Sequence, residues 1–392
     1  MKHHHSLLIE AFDTLFFRDA KPFERGSGAV GSVVFPPAPS VLHGAVRTAY
    51  FAQQPTRFRA GQAQHGQIDR MTDSLRISEI ALSHTNGVHL FPVPSDLVLR
   101  KEDNGNAGAM AHRLQLAARP AVSSLPPGLE MLKYPLKEPT VAATGYRIED
   151  FDLEAYLHDQ GDTLLRVQRL SELVTLEPKV GIERDHRSGS VREGHLYFVN
   201  FIRPENKKRE RLRFRINYCA DWDAPLQSEG YLRLGGEGKV AHYTLRAAEP
   251  LVKPVEIRSS RLKIYLSTPA YFTKGWFPAG IDAATRRGSF SLPDGQKIEV
   301  TLRAAATGRP AYFGGFDQRR QRPKPMRRFA PAGSVYYLEC TSTEAAQTLA
   351  AALHGTSISD PEPGLNAAEL EPNYYRHRGF GIAYCGNWTA NV

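Results

Sequence analysis

The sequence predicts an α+β protein built from two units that divide near residue 250. Segments that alternate apolar and polar residues recur from residue 196 onward, and such alternation is typical of antiparallel strands with one buried face. One helical pattern follows the first strand and another precedes the end of the chain. Strands and helices do not alternate regularly, which argues against a doubly wound parallel sheet. We therefore expect residues 1–250 and 251–392 each to pack one or two helices on an antiparallel sheet.

The N-terminal unit opens with a predicted strand at residues 6–12, which are mostly apolar. Prolines that follow prevent the chain from continuing as a strand. Ser40 is a suitable N-cap for a helix over 41–53, where apolar residues recur at helical spacing. His43 and Arg47 are four positions apart, and we expect them to share the face opposite the buried side of this helix.

Residues 55–150 have an irregular pattern that is rich in glycine, proline, asparagine and glutamine. Turn-forming clusters at 102–106 and 125–128 are examples. We interpret this segment as an insertion into the N-terminal unit, with short helices and no core of its own.

Strands dominate the remainder of the N-terminal unit. Residues 196–202 form one predicted strand, and 211–216 alternate strictly to form the next. This alternation places Arg211, Arg213 and Arg215 on one face, which we interpret as a solvated surface.

The C-terminal unit shows the same kind of pattern. Strands are predicted at 262–266, 298–302 and 334–339. Residues 341–344 have the spacing of a capping box, and the helix that follows is expected to stop at Gly355.

Composition narrows the class of protein. The 392 residues are 41% hydrophobic and 23% charged, as in globular proteins, and no stretch approaches the roughly 18 apolar residues of a membrane span. The N-terminus has no apolar signal core, so we expect a cytoplasmic protein. Three distant cysteines, Cys219, Cys340 and Cys385, make a disulfide framework or a cysteine-ligated zinc site improbable, and we expect neither metal nor cofactor.

Charge provides the first positive indication of a partner. Lysine and arginine number 50 against 41 acidic residues, a formal charge of +9, which favours a polyanion and nucleic acid before membrane. The densest basic run is 319–328, where six of ten residues are cationic and follow the aromatic segment 312–316. A solvated loop would have the same composition, but the adjoining aromatics and glycines favour contact with nucleic acid.

Two glycine-bearing segments could approach phosphate closely. Gly379 and Gly381 follow a basic stretch, and consecutive amides there could form an anion nest. The segment 234–239 is also glycine-rich, but it is not a P-loop because Val240 follows its Gly-Lys pair.

Catalytic motifs are absent from the sequence. It contains no Gly-x-Ser-x-Gly, no His-Glu-x-x-His and no paired aspartate-rich metal motif. His43 could act as a general base in metal-free RNA cleavage, but a structural or RNA-contacting histidine is the favoured interpretation.

Nine segments, in this order, carry a resemblance to a known family. They are FDTLFFRDAKPF (12–23), FPPAPSVLHGAVRTA (35–49), KVGI (179–182), EGHLY (193–197), LGGEG (234–238), TPAYF (268–272), GWFP (275–278), PAGSVYYLE (331–339) and GFG (379–381). The ordered set resembles the third-subunit family of the Cmr complex, the type III-B CRISPR effector, within the RAMP superfamily. The resemblance spans about residues 6–388, and 55–140 contribute little to it.

The resemblance implies two ferredoxin-like, RRM-related domains with antiparallel sheets that face each other, plus insertions and a projecting β-hairpin at about 179–200. It also implies a non-catalytic subunit in antiviral defence against foreign RNA. Such a subunit anchors the repeat-derived 5′ tag of the CRISPR RNA and docks on the large palm-domain subunit. Backbone RAMP subunits are further implied partners, and target RNA an indirect one.

Candidate contacts follow from the resemblance together with the local chemistry. Those for RNA are Arg18, Lys21, His43, Gly44, Arg47, Lys179, Gly181, Arg184, Arg187, Gly235, Gly236, Lys239, Lys274, Arg319, Arg320, Arg322, Arg376, Arg378, Gly379 and Gly381. Those for partner subunits, expected as exposed apolar loops, are Tyr271, Phe272, Trp276 and Phe277. No catalytic residue is assigned.

Two alternatives remain open at this stage. One is a metal-free endoribonuclease of the same superfamily, which would process precursor CRISPR RNA with His43 or a tyrosine as base. The other is a protein-only assembly scaffold whose basic patches meet acidic protein surfaces.

Overall fold

The computed structural model describes most of the chain. The described residues are 3–18, 30–31, 33–62, 71–106, 108–118, 125, 128–135, 137–159, 164–184, 191–278, 280–317, 322–361 and 374–389. The candidate residues Lys21, Arg187, Arg319 and Arg320 lie outside this set.

The larger sheet has eleven antiparallel strands. In spatial order they are β15 (Glu229–Arg233), β16 (Val240–Ala247), β1 (His3–Ala11), β14 (Leu212–Ala220), β3 (Arg76–His84), β4 (His89–Pro92), β10 (Tyr146–Glu149), β11 (Leu165–Arg169), β6 (Ala109–Arg113), β5 (Leu97–Arg100) and β9 (Thr140–Ala142). The predicted strands at 6–12, 196–202 and 211–216 are confirmed, the second of them within the hairpin described below. Leu7 and Ile9 of β1 point to the core, as the alternation predicts.

The expectation that residues 55–150 form mainly short helices is wrong. Within this segment the structure forms strands β3 to β10, and its one α-helix is α2 (Pro55–Gln62), beside a 3-10 turn at Lys101–Asp103, so far as the segment is described. β3 pairs with β14 along most of its length and is an integral strand of the larger sheet. The strands here are mostly three to five residues long and are separated by polar turns, so their alternation is too brief to be conspicuous in the sequence.

The smaller sheet has six antiparallel strands. In spatial order they are β18 (Arg287–Ser291), β19 (Lys297–Ala306), β24 (Val335–Cys340), β17 (Arg261–Leu266), β26 (Ile382–Asn387) and β25 (Thr356–Ser357). The helix α5 (Thr343–Leu353) packs on it, and the backbone N–H of Ala345 donates to Oγ of Ser342, 3.1 Å away. The predicted strands and helix of this unit are confirmed, but the N-cap is Ser342 and not Thr341, so the capping box expected at 341–344 is shifted by one residue.

The remaining elements are short or project from the sheets. A long hairpin consists of β12 (Thr175–Arg184) and β13 (Val191–Arg203), and β2 (Val30–Gly31) pairs with it in parallel. The small ribbons are β7 (Gln115–Ala117) with β8 (Met131–Lys133), β20 (Ala311–Phe313) with β23 (Arg327–Phe329), and β21 (Phe316–Asp317) with β22 (Arg322–Pro323). The other helices are α1 (Pro39–Gln53), α3 (Asp150–His158), α4 (Leu170–Leu173) and α6 (Tyr374–His377).

The first helix begins two residues earlier than predicted. Its N-cap is Ala38, which makes no side-chain cap hydrogen bond, and Pro39 occupies the first helical position. Ser40 is therefore inside the helix, and the expectation that it caps the helix is wrong. Proline suits the first position because its fixed φ is already helical and no amide is lost from the hydrogen-bond pattern.

The two sheets pack against each other through the strand β17, which is buried on both faces. Leu262 and Ile264 belong to the core beneath α5, whereas Tyr265 belongs to the core of the larger sheet. Tyr265 donates from its hydroxyl to the carbonyl of Pro92, 2.6 Å away, and Tyr384 of β26 donates to Oε1 of Glu79 at 2.9 Å. Buried hydroxyls and carboxylates therefore connect the two units.

The two sheets share one local strand order. In the larger sheet, β1 lies between β16 and β14, with β3 beyond β14. In the smaller sheet, β17 lies between β26 and β24, with β19 beyond β24. In each set of four, the strand that comes first along the chain lies between the strands that come fourth and third, and the second strand lies beyond the third.

Candidate nucleic-acid interface

The β12–β13 hairpin presents two chemically different faces. Antiparallel pairing runs from Thr175 opposite Arg203 to Ile182 opposite Leu196. One face carries Lys179 beside Phe201, and the other carries the exposed apolar side chains Val180 and Phe198, which are cross-strand partners. The hairpin therefore offers a cationic face and an apolar face from a single two-stranded ribbon.

Two lysines from separate segments meet one aromatic ring at the base of this hairpin. The Nζ atoms of Lys179 and Lys239 lie 4.4 and 4.9 Å from the ring centroid of Phe201. The ring of Phe16 lies 5.3 Å from that of Phe201. We call Phe16, Lys179, Phe201 and Lys239 the hairpin-base cluster. Ammonium groups at this distance are attracted to the negative ring face, so the ring holds both cations in place.

The glycine-rich loop 234–238 anchors the segment that carries Phe16. The backbone N–H of Gly236 donates to the carbonyl of Phe16 at 2.8 Å. A Cβ at Gly235 would lie 2.4 Å from that same oxygen, and its φ is +81°. Both requirements call for glycine at 235, so the structure gives the Gly-Gly pair a local structural role.

Acidic side chains balance some of the positive charge around the hairpin-base cluster. Arg203 pairs with Glu177 and with Asp13, and Lys239 lies 3.6 Å from Asp13. The backbone amide of Thr14 and then Arg203 and Lys239 lower the pKa of Asp13 against the effect of burial. Lys179 has no carboxylate partner among the described residues and is exposed, so its charge is available to a ligand.

A second basic cluster lies between α1 and α6. It comprises His43, Arg47, Arg76, His377 and Arg378, which we call the α1–α6 cluster. Burial, and then the positive charges of Arg378 and Arg47, hold the pKa of His43 well below 6.5. Burial and the charges of Arg76 and Arg378 lower the pKa of His377 to about 3. Both imidazoles are therefore neutral at pH 7, and the arginines supply the positive charge.

The predicted position of His43 on an open helix face is wrong. His43 is only 5% exposed, and it hydrogen-bonds with the backbone of Leu75. Its Nδ1 has no hydrogen-bond partner within the described part of the chain. Gly44 beside it has open space, since an added Cβ would meet no described atom within 4 Å. The helix is thus covered on two sides, by the sheet and by the segment around Leu75 and α6.

The ring of Tyr374 connects the α1–α6 cluster with the basic arm formed by 311–329. The guanidinium carbon of Arg378 lies 3.9 Å from the ring centroid of Tyr374. On the same residue, Nζ of Lys324 donates to the hydroxyl at 2.7 Å. Tyr374 thereby brings one cation from each segment to a single ring.

The prediction that Gly379 and Gly381 form an anion nest is not supported by their placement. Both are buried, and the amides of Gly379, Phe380 and Gly381 donate to the carbonyls of Arg376, Tyr375 and Pro269. These amides are already used inside the fold. The loop instead seals the junction between the two sheets, where a Cβ at Gly379 would lie 2.8 Å from Ile77.

The expected exposure of the partner-binding aromatics is wrong. Tyr271, Phe272 and Phe277 are all buried. Phe272 and Phe277 join the core beneath α5, with Trp276 packed against it, and Tyr271 joins a small aromatic cluster around Phe329. The apolar run is consumed by the chain's own core, which one-dimensional hydropathy cannot distinguish from a docking surface.

The other candidate cations are dispersed. Arg18 pairs with Val33 in an isolated bridge, Lys274 is exposed near Asp282, and Arg376 donates from Nε to the carbonyl of Ser359 at 2.7 Å. For the rest the structure gives backbone placement: Gly181 and Arg184 lie in β12, and Arg322 lies in β22. The structure thus brings together Lys179, Gly235, Gly236 and Lys239 in one place, and His43, Arg47 and Arg378 in another.

Three aromatic residues that organise these clusters were not identified from the sequence. They are Phe16, Phe201 and Tyr374. Phe201 lies in an alternating strand, where core packing is the default interpretation. Its pairing with two lysines depends on strand register, which the sequence pattern does not specify.

A cavity of about 130 Å³ lies between α1 and the junction of the two units. Its lining is mostly apolar and includes Leu42, Phe214 and Pro269, with Arg147 as its one cation among the described residues. Burial lowers the pKa of Arg147 to about 10, and its Nη1 donates to the carbonyl of Tyr146.

The described residues contain neither a candidate metal site nor a candidate membrane-spanning helix. Among the described residues, no three histidine, cysteine, aspartate or glutamate side chains are grouped so that they could hold a metal ion. The described helices also include none with the length and apolar character needed to cross a membrane.

Comparisons with known proteins give a consistent result. A family model described as CRISPR-associated protein (Cas_Cmr3) matches residues 7–388. A chain in the cryo-EM structure of the type III-B Cmr-beta bound to cognate target RNA has a TM-score of 0.50 and 14% identity, over 96% of this chain and 95% of that chain. A chain in the same assembly with target RNA and AMPPnP, state 1, has a TM-score of 0.50 and 13% identity, over 96% and 94%. At these identities the structural likeness shows a shared fold. No curated protein matches the chain.

Proposed function

Because the chain belongs to the Cas_Cmr3 family of CRISPR-associated proteins, we propose that it is a non-catalytic, RNA-binding subunit of a type III-B CRISPR effector complex. It holds the repeat-derived 5′ tag of the CRISPR RNA and docks on the large palm-domain subunit and the backbone subunits. Target RNA is then an indirect partner, in cytoplasmic defence against foreign RNA. The two similar solved structures are of a type III-B assembly with target RNA, which supports this role.

One observation carries the proposal: Lys179 and Lys239 converge on the ring of Phe201 at the base of the hairpin. A single-stranded RNA needs cations for its phosphates and flat surfaces for its unstacked bases. Lys179 is exposed and has no described carboxylate partner. The hairpin-base cluster supplies both requirements in one place.

The apolar face of the hairpin supports the same proposal. Val180 and Phe198 are exposed cross-strand partners on a ribbon that is separate from the larger sheet and pairs with β2. An apolar wedge of this kind can separate neighbouring bases and hold an RNA strand in an unstacked path. The hairpin would then act as the projecting thumb of a RAMP subunit.

The strand order supports two ferredoxin-like domains, divided near residue 250. Each sheet contains four antiparallel strands in the order last, first, third, second. In the N-terminal set, the helix α1 follows the first strand. In the C-terminal set, the helix α5 follows the third strand. Each domain thus has one of the two helices of the complete motif within the described residues.

The state of His43 favours binding over catalysis. A general base must reach the proton that it removes, with a pKa near the working pH. His43 is buried, and desolvation and then the charges of Arg378 and Arg47 hold its pKa well below the ordinary value. The endoribonuclease alternative has no comparable support from the described residues.

The test is retention of this subunit in a reconstituted effector complex. Complexes are assembled on a CRISPR RNA with its natural 5′ tag and on one of equal length with the tag sequence scrambled. We expect the subunit to remain bound at raised salt on the first RNA and to dissociate on the second. Equal retention on both RNAs would remove tag binding as its function, and retention after nuclease treatment would favour the protein-only scaffold.

A further inference from the structure

One face of the larger sheet is open over part of strands β15, β16, β1 and β14, whereas Ser6 and Asn217, at one end of the same face, are buried. Leu7, Ile9 and Phe214 point to the opposite face and are buried with α1. On the open face, Tyr231 is 65% exposed and Phe12, just after β1, is 58% exposed. Adjacent exposed aromatic rings define an apolar patch.

The exposed rings form a continuous row. The ring centroids of Phe12 and Tyr231 are 5.5 Å apart, and those of Tyr231 and His242 are also 5.5 Å apart. Strand register explains the row, because Tyr231 lies opposite His242 on β16, and His242 lies opposite Glu10 on β1. Three rings from three consecutive strands are thus presented on one flat surface.

Arginines surround this row. They are Arg211, Arg213, Arg215, Arg233 and Arg246, whereas the described acidic residues beside them include Glu10, Glu229 and Glu205, which lies 3.5 Å from Arg211. Arg211 and Arg213 both pair with Glu10, at 2.9 and 2.7 Å. Arg233 and Arg246 are exposed and have no carboxylate partner in the described part of the chain. The face therefore has an excess of positive charge beside its aromatic surface.

We propose that this open sheet face binds single-stranded RNA, with Tyr231 and Phe12 stacking on bases and Arg233 and Arg246 holding phosphates. A planar guanidinium can contact phosphate through two N–H groups and can also stack on a base. A four-stranded surface is about 15 Å wide at the usual strand spacing, which accommodates two or three bases. An acidic protein would complement the positive charge of this face, but it would not supply planar bases to stack on Tyr231 and Phe12.

This surface is separate from the hairpin-base cluster but adjoins it. The N–H of Phe12 donates to the carbonyl of Val240, the residue that follows Lys239. An RNA strand at the hairpin base could therefore continue onto the sheet face. The inference extends the proposed RNA-binding function to a second surface, and it concerns RNA of any sequence because stacking is sequence-tolerant.

The test measures binding of the full-length protein to a fluorescently labelled 12-nucleotide oligouridine, a designed probe without a tag sequence, long enough to span a typical single-strand site. We expect Tyr231→Ala to weaken binding about tenfold and Tyr231→Phe to preserve it, because stacking needs the ring and not the hydroxyl. Phe12→Ala should weaken binding similarly. Phe151→Ala is the matched control, since Phe151 is 56% exposed and lies on α3, which packs on β4, β10, β11 and β26.

Unchanged oligouridine affinity in Tyr231→Ala and Phe12→Ala, or no binding by the native protein, would overturn the inference. If these variants bind oligouridine normally but fail to enter the effector complex, the face docks protein and the inference is again overturned. The proposed function is tested independently, through the tag-bearing RNA. If the subunit is retained equally on native and scrambled tags while Tyr231→Ala and Phe12→Ala still weaken oligouridine binding, only the proposed tag-binding function is overturned.

Discussion

Lys263, in the centre of the smaller sheet, lies with its Nζ 3.6 Å from Oδ1 of Asp159 at the end of α3. The same carboxylate pairs with Arg113, and the Lys263 ammonium donates to the carbonyl of Tyr156 at 2.7 Å. Lys263 is almost completely buried. One carboxylate thus serves two cations at the junction of the two units, and the fixed charge of Arg113 competes with Lys263 for it.

Removing that carboxylate should destabilise the protein strongly. Asp159→Asn leaves Arg113 and Lys263 without their shared anion, and breaking a buried ion pair from one side costs about 3–5 kcal/mol. Asp159 has a φ of 59°, a conformation that asparagine also tolerates, so the backbone should be undisturbed. Urea denaturation gives the change in the free energy of unfolding.

Asp223→Asn is the matched control for that substitution. Asp223 pairs with Arg57, but both side chains are exposed, so we expect a cost below about 1 kcal/mol. Similar losses in the two variants would contradict the assignment of the junction as an energetically important contact.

Lys263 should also make stability depend on pH. Burial, and then the charge of Arg113, lower the pKa of Lys263 from 10.5 to about 7. Between these two values the unfolded chain binds a proton that the folded chain has released, so the free energy of unfolding rises with pH. The expected slope is at most about 1.4 kcal/mol per pH unit.

Lys263→Met removes this titration while filling a similar volume. We expect the free energy of unfolding of this variant to lack the rise between about pH 7 and 10.5 that Lys263 gives the native protein. Thermal unfolding across this range provides the measurement. A native and a variant curve that stay parallel would show that Lys263 keeps its proton throughout.

The loop at 379–381 should tolerate no side chain at its last glycine. Gly381 has a φ of +78°, and an added Cβ would lie 2.5 Å from Oγ of Ser359 and 2.9 Å from its backbone nitrogen. Gly87 has a φ of +94° with no described atom within 4 Å of its added Cβ. Gly87→Ala should cost about 1–2 kcal/mol through φ alone, and Gly381→Ala should cost clearly more. Equal costs in chemical denaturation would mean that the junction around Ser359 is not closely packed.

Lys179 should contribute one phosphate contact in the proposed RNA site. Lys179→Glu is expected to weaken binding of tag-bearing RNA and to reduce the log–log salt slope by about 0.7, the value for one phosphate on a single strand. Fluorescence anisotropy at several salt concentrations gives the slope. Lys297→Glu makes the same charge change at an exposed position on β19 and should leave the slope unchanged. If both variants shift binding equally, the effect is that of net charge and not of the hairpin base.

The sequence predicts the individual strands and helices better than it predicts which strands pair with each other. The alternation in 211–216 and 262–266 identifies strands correctly, since the period of two is a property of each strand alone. It does not reveal that β3 pairs with β14, because that contact joins distant segments through short, polar-flanked strands.

The same limitation applies to the candidate site. The chemistry of Lys179 and Lys239 is recognisable in the sequence, but their convergence on Phe201 depends on strand register. Phe272 and Phe277 show a different limit of the sequence. Their apolar loop predicts a docking surface, but both side chains are buried in the chain's own core. Hydropathy records that a residue avoids water, not whether its own chain or a partner covers it.

The most direct test of RNA anchoring is the identity of the RNA that accompanies this protein in its native host. The protein is isolated under mild salt, and the co-purified RNA is sequenced from its 5′ end. We expect short RNAs that share one repeat-derived 5′ tag, followed by variable sequence, and their loss when Lys179 and Lys239 are both replaced by glutamate. RNA without a common 5′ end, or none, would contradict it.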